Sequence, residues 1–144
     1  MKQISEHFAL DELIVTNTGL LNVPNELHLI NLKVLVTNVL EPLRVMYGHP
    51  IKINSAFRSD KVNKKIGGAK TSQHCQGKAA DLDSENNALL YRLIRDNFTF
   101  DQLIWEKGND NQPAWVHVSF SDKNRMQLLR TRDGKTYFPN PKKA

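Results

Sequence analysis

Two residues that can bind a metal ion, His74 and Asp81, lie seven positions apart in the stretch 72–81. In a continuous strand their backbones would be roughly 23 Å apart, and in a helix they would still be roughly 10 Å apart along the axis. One ion can bind both only if the chain turns between them. Gly77 lies in this interval and can adopt the positive φ that such a turn needs. We therefore predict a turn at Gly77, followed by a short strand over 78–82 that brings the imidazole and the carboxylate together.

A third candidate ligand, His117, lies in the segment 114–120, where the pattern favours a strand. Successive side chains of a strand point to opposite faces. Trp115, His117 and Ser119 therefore share one face, while Val116, Val118 and Phe120 point into the core. This pattern predicts that His117 faces a cleft.

Three such residues match the number of protein ligands of a catalytic zinc ion, which leaves its fourth position to water and lowers the pKa of that water to about 7. His74, Asp81 and His117 are the candidates. Each also has a structural interpretation, since buried histidines usually satisfy a hydrogen bond in the core and an aspartate can simply pair with Lys or Arg. Composition and spacing alone leave both interpretations open.

Hydrolysis at such a site also needs a general base, and a carboxylate near the water can fill this role. Glu106 is the best candidate, because it ends the predicted strand that precedes the strand of His117. Asp101 and Glu85 are weaker alternatives. Cys75 is interpreted as a small packed thiol, because side chains adjacent in sequence usually point apart and His74 already occupies the ligand position.

The length of 144 residues suits one domain, 1–144, with a basic, Pro-rich tail over 139–144. The chain has one cysteine, so it has no internal disulfide. The formal net charge of +5 and the pI of about 9.4 indicate attraction to a polyanion. The lysines are scattered from Lys2 to Lys143 without an aromatic platform, which argues against nucleic acid as the partner.

The hydrophobic pattern predicts helices and strands in an order typical of an α+β domain. The first expected elements are a docking segment over 5–13 and a long helix that starts at Pro24 and ends just before Gly48, with a kink or a new start near Leu40 because of Pro42. A strand over 50–58, a short helix over 61–66 and a helix capped by Ser84 and ending near Asn97 follow. The last expected elements are two strands over 100–106 and 114–120 that form a long-looped hairpin, and a terminal hairpin over 126–138 turned by Asp133 and Gly134. The apolar residues of the long helix that follow helical spacing are Leu27, Ile30, Val34, Leu35, Val39, Leu43 and Met46.

Three motifs of the chain resemble one known family. They are Ser72-x-His74-x-x-Gly77-x-Ala79-x-Asp81, Ser55-x-Phe57-Arg58-Ser59 and Trp115-x-His117-Val118-Ser119. Together they resemble the zinc D-Ala-D-Ala carboxypeptidase family, which shares its fold with the hedgehog signalling domain and includes phage endolysins. The resemblance extends from Phe8 to Phe120.

The resemblance implies a single α+β domain with an antiparallel sheet flanked by helices, and a zinc ion held by His74, Asp81 and His117. It further implies a glutamate base and peptidoglycan stem peptides as substrate. Arg58 is implied to bind a carboxylate or carbonyl of the substrate.

Ser72 and Trp115, which belong to the same motifs, complete the predicted substrate-binding set. Some family members have a glutamate three residues before the final histidine, where this chain has Ala114. The assignment of the base to Glu106 therefore rests on the segment 101–106, which is similar to one in shorter members.

The expected activity is that of a zinc peptidase, either a D-Ala-D-Ala carboxypeptidase or an endolysin-type endopeptidase. The alternative is a zinc-containing binding module of the same fold that lacks hydrolysis. No apolar run reaches membrane-spanning length, and the first residues lack the apolar core of a signal peptide. We therefore expect a monomer without stable membrane association, made in the cytoplasm and reaching the cell wall through a holin-type lesion.

Overall fold

The computed structural model describes residues 2–140, which form a single α+β domain of five α-helices, two short helical segments of other types and six strands. The helices are α1 (Leu10–Leu13), α2 (Glu26–Leu35), α3 (Glu41–Tyr47), α4 (Asp60–Lys65) and α5 (Asn87–Asn97), with a π-helical segment at Val36–Leu40 and a 3₁₀ turn at Gln73–Gln76. The strands are β1 (Lys52–Ser55), β2 (Ala79–Asp83), β3 (Gln102–Glu106), β4 (Trp115–Ser119), β5 (Gln127–Thr131) and β6 (Tyr137–Pro139). Residues 141–144 of the predicted tail lie outside the described part.

The six strands form one sheet in the order β1-β2-β4-β3-β5-β6. The expectation of an antiparallel sheet is wrong at one point, because β3 and β5 pair in parallel, with Gln102 opposite Gln127. The other neighbours are antiparallel. The chain leaves β4 beside the start of β3 and crosses to the far side of β3 over residues 120–126. As a result, β5 starts where β3 starts and runs in the same direction.

The long helix predicted from Pro24 onward is interrupted close to the predicted point. A π-helical segment covers Val36–Leu40 and joins α2 to α3, and Pro42 lies in the first turn of α3. Proline has no N–H to donate to a carbonyl of the preceding turn, and the π-helical segment covers that turn. The helix ends at Gly48, whose φ of 77° is the left-handed conformation typical of a residue that follows a helix.

The apolar face of this helix differs in part from the predicted one. Leu27, Ile30 and Val34 are exposed to solvent by 62%, 53% and 39%, and Met46 is also exposed. The buried face consists of Leu32, Leu35, Val36, Val39, Leu40 and Leu43. The π-helical segment adds residues to one turn, so a single 3.6-residue period cannot fit both halves of the helix.

The core lies between the helices and one face of the sheet. Helix α5 contributes Leu90 and Ile94, which are fully buried, and strand β4 contributes Val116 and Val118 as predicted. The predicted cap of α5 is wrong: the side chain of Asn86, not that of Ser84, accepts the hydrogen bond from a free backbone N–H of the first turn.

The docking segment and the terminal hairpin agree with the expectations, whereas the strand predicted over 50–58 is shorter, at Lys52–Ser55. Phe8 and Leu13 of the docking segment are buried, and β5 and β6 form the terminal hairpin. Within residues 2–140, every helix is too short or too polar to cross a bilayer.

The two faces of α2 can be compared by substitution. We expect Leu35→Ala to lower the free energy of unfolding by about 2 to 5 kcal/mol, because Leu35 is fully buried. Leu27→Ala is the matched control and should change it by less than about 0.5 kcal/mol. Urea denaturation measures both, and equal losses would contradict the helix orientation described here.

Candidate metal centre and active-site cleft

The pairing of β2 with β4 places two candidate ligands opposite each other. Asp81 of β2 lies directly across from His117 of β4 in the antiparallel register. Directly opposed side chains in such a pair have Cβ atoms about 4.5 to 5.5 Å apart. Backbone hydrogen bonding alone therefore brings the carboxylate and the imidazole within reach of one ion.

The third candidate, His74, reaches the same point because the chain turns at Gly77 as predicted. His74 lies in the 3₁₀ turn, and Gly77 follows it with a φ of 75°. A Cβ atom at Gly77 would lie 2.7 Å from the backbone oxygen of His28 in α2. Glycine is needed here for both its conformation and its small size.

The three side chains converge closely. Oδ1 of Asp81 lies 3.4 Å from Nε2 of His74 and 3.0 Å from Nδ1 of His117. One possible ligand atom from each residue lies within 4.8 Å of the other two. Three donors bound to one tetrahedral ion at about 2 Å are roughly 3.3 Å apart, so small movements of the side chains would let them share an ion.

The surroundings of His74 favour the form that binds metals. Its Nδ1–H donates a hydrogen bond to the carbonyl oxygen of Ala56, with 2.6 Å between the nitrogen and the oxygen. This leaves the lone pair of Nε2 directed toward Asp81. Burial lowers the pKa of His74, although Asp81 acts in the opposite direction, and so favours neutral imidazole. A histidine whose second nitrogen donates to a carbonyl is the usual arrangement around zinc.

Asp81 supplies negative charge to the group. Burial alone would raise the pKa of Asp81, but His74 and His117 hold it well below its ordinary range. The group thus offers imidazole nitrogen and carboxylate oxygen, a donor set that suits zinc. Cys75 is not part of it, and burial raises the pKa of its thiol.

A cleft of about 880 Å³ opens over this group. Its lining contains two carboxylates, Asp81 and Glu106. Glu106 is 7% exposed, and burial raises its pKa to about 7 despite the neighbouring cationic groups. Glu85 is exposed and borders a different groove, beside His49. The role of Glu106 as a base stays a prediction, but the geometry removes Glu85 from consideration.

Asp101, the other alternative base, is already occupied by hydrogen bonds. Its carboxylate accepts from Nε and Nη2 of Arg125 at 2.7 and 2.9 Å, and from Nε2 of Gln73 at 2.9 Å. These bonds lower the pKa of Asp101 to about 2. Through the bond to Gln73, Asp101 links the 3₁₀ turn that contains His74 to the start of β3. With its pKa lowered, Asp101 has little capacity to accept a proton from water near neutral pH.

Arg58 lines the cleft with incomplete hydrogen bonding. Its Nη2 lies 3.5 Å from Oγ of Ser72, which is a long contact, and its Nε is buried without a partner in the described part of the chain. Its backbone N–H donates to the carbonyl oxygen of His74 at 3.0 Å. A buried donor without a partner is costly, and the role of Arg58 in substrate binding stays a prediction.

Ser72 and Trp115 also line the cleft. The hydroxyl of Ser72 accepts a hydrogen bond from the backbone N–H of His74 at 3.2 Å, so it also supports the 3₁₀ turn. Their roles in substrate binding stay predictions.

The sequence interpretation did not anticipate the C-terminal hairpin at the cleft. Lys135 and Tyr137 line it from the hairpin, and Lys107 lines it from the end of β3. The hairpin itself was predicted from its Asp-Gly turn, but its position beside β3 depends on the parallel pairing, for which the local sequence gives no signal.

The model of the family described as Peptidase M15 matches residues 6–119. The chain therefore belongs to the peptidase M15 family, and the predicted relationship to the zinc D-Ala-D-Ala carboxypeptidases is confirmed. No curated protein matches the chain.

The ligand group predicts a metal content that can be measured. We expect the purified protein to carry about one zinc ion, as three-ligand sites do, and His117→Ala to lose it. Cys75→Ala is the control and should keep the metal. Elemental analysis after dialysis measures the zinc content of both variants. A Cys75→Ala protein that loses zinc while His117→Ala keeps it would show that the ligand set is wrong.

Proposed function

We propose that the protein is a zinc-dependent peptidase that hydrolyses amide bonds in peptidoglycan stem peptides, as a D-Ala-D-Ala carboxypeptidase or an endolysin-type endopeptidase. The observation that carries this proposal is the grouping of His74, Asp81 and His117 in one cleft with the buried carboxylate of Glu106. Membership of a peptidase family supports the same reaction class.

His74, Asp81 and His117 are the residues that would hold the zinc ion. When bound, zinc supplies Lewis acidity, which polarises the scissile carbonyl and makes a water molecule more acidic. Glu106 accepts the proton of the attacking water on a carboxylate oxygen and passes it to the nitrogen of the leaving amine. A pKa near 7 suits this exchange, because the group must both take up and release a proton close to neutral pH.

Arg58 orients the substrate in this proposal. Its planar guanidinium can donate two parallel hydrogen bonds to a carboxylate or contact a polarised carbonyl. The buried Nε without a partner and the long contact to Ser72 support a donor that finds its acceptor in the substrate. Burial lowers the pKa of Arg58, but an arginine remains charged.

The peptidoglycan substrate is inferred from the family resemblance and from charge. Stem peptides are anionic, and the cationic side chains of Arg58, Lys107 and Lys135 border the cleft. An anionic chain is attracted to such a surface, the more so at low salt.

Digestion of purified peptidoglycan tests the proposal directly. Mass analysis should find fragments cut at one type of amide bond, and the fragments should disappear when zinc is removed by chelation and return when it is restored. If the zinc-loaded protein binds the wall polymer but releases no fragments, the proposal is wrong and the chain is a binding module of the same fold.

The role of Glu106 predicts a loss of rate without a loss of metal. We expect Glu106→Gln to reduce kcat/KM on wall fragments by roughly 10²- to 10⁴-fold, because it removes a general base. Its zinc content should equal that of the parent. Glu85→Gln, which changes an exposed carboxylate outside the cleft, is the matched control and should retain full activity. Near-normal turnover by Glu106→Gln would assign the base to another group.

The role of Arg58 predicts a loss of catalytic efficiency when a substitution keeps the positive charge but removes the planar donor group. Arg58→Lys should fold and bind zinc normally yet lose catalytic efficiency, with about 1.5 to 3 kcal/mol at stake for each charge-assisted hydrogen bond. Arg92→Lys, on the exposed face of α5, is the control. Measuring kcat/KM together with the melting temperature separates a role in catalysis from a role in folding, since a purely structural arginine would change the melting temperature and leave kcat/KM unchanged.

A further inference from the structure

One side of the cleft carries positive charge that the proposed mechanism does not use. Lys107 follows the end of β3, and Lys135 lies in the turn between β5 and β6. The turn lies beyond residues 6–119, the part of the chain that matches the family.

The backbone of Lys107 is held in an unusual conformation. Its φ is 53°, in the left-handed region, which costs a residue with a Cβ roughly 1 to 2 kcal/mol. Its N–H donates to the carbonyl oxygen of Thr131 at 2.7 Å, and its Nζ lies 5.4 Å from the centre of a ring of Trp115. Such conformations persist where the surrounding structure fixes them, so the backbone of Lys107 is held in place and its ammonium group lies over the predicted substrate-binding residue Trp115.

The side chain of Lys107 also lies against the hairpin turn. A Cβ atom at Gly134 would be 3.1 Å from Cε and 3.6 Å from Nζ of Lys107. Gly134 is the residue that precedes Lys135. The turn itself is fixed by Asp133, whose Oδ1 accepts hydrogen bonds from the backbone N–H groups of Lys135 and Thr136 at 2.8 and 2.7 Å. Two lysines are thus anchored on adjoining backbone segments at the cleft.

Neither lysine has a carboxylate partner among the ion pairs of residues 2–140. Lys107 acts on Glu106 electrostatically and lowers its pKa, although burial has the larger and opposite effect. Both side chains line the cleft, and Nζ of Lys107 lies against the residue that precedes Lys135, so a carboxylate bound at this wall would meet two cationic groups.

We propose that Lys107 and Lys135 form a second anion subsite, which binds a carboxylate of the substrate other than the group that meets Arg58. The ligand class is a peptide with a free carboxylate near the scissile amide. This inference rests on the proposed function, since it assigns part of the same cleft to the substrate.

The subsite is tested with two synthetic stem peptides that are identical except that the side-chain carboxylates are free in one and amidated in the other. Binding is measured by calorimetry on zinc-loaded Glu106→Gln protein, so that hydrolysis does not interfere. The free acid should bind roughly 5- to 20-fold more tightly than the amide, as expected for two ion pairs at a cleft rim. The double variant Lys107→Ala, Lys135→Ala in the same background should reduce this ratio to about one.

Lys33→Ala, which removes an exposed lysine of α2, is the control and should keep the full ratio. Melting temperature and zinc content establish that each variant is folded and loaded. A ratio that survives the double substitution overturns the subsite, and so does an equal loss of affinity for both peptides, which indicates that the lysines act through the general field of the cleft. Failure of the proposed function looks different, since the zinc-loaded parent would then cleave neither peptide, whatever the ratio of the two affinities.

Discussion

The site depends on the hydrogen-bonded register between β2 and β4. This register sets Asp81 opposite His117, and a slip by one residue would turn one of the two side chains to the opposite face of the sheet. The turn at Gly77 adds His74 to the pair, and it is possible only because nothing larger than hydrogen projects toward the carbonyl of His28. The candidate ligands are therefore positioned by the backbone of the sheet and by the packing of α2 against the turn.

Much of the candidate site was predictable from local rules. A glycine between His74 and Asp81 indicates a turn, and strand alternation indicates which face His117 shares. Both rules depend only on neighbouring residues and on the geometry of regular elements. The structure agrees with each of them, and the match to a peptidase family gives the group its chemical interpretation. The functional role of Glu106 cannot be deduced in this way, because burial and charge, which decide the pKa of a carboxyl group, depend on residues far away in the sequence.

The predictions that failed depend on long-range geometry. The parallel pairing of β3 with β5 follows from where the chain passes after β4, and no residue of β5 encodes it by its type. The exposed face of α2 was misassigned because a π-helical segment changes the helical phase between α2 and α3. The cap of α5 was misassigned by two residues, since Ser84 and Asn86 are both good capping residues and tertiary packing decides between them.

The terminal hairpin has one part that belongs to the sheet and another that forms a wall of the cleft. Its strand β5 is hydrogen-bonded along the whole of β3, whereas the turn at 132–136 is surface chain with its own local hydrogen bonds. Substitutions in that turn can reshape one wall of the cleft without touching the candidate ligands or the core. The fold therefore offers a place where selectivity could diversify between related proteins, by exchange of a few turn residues, while the chemistry of the site stays constant.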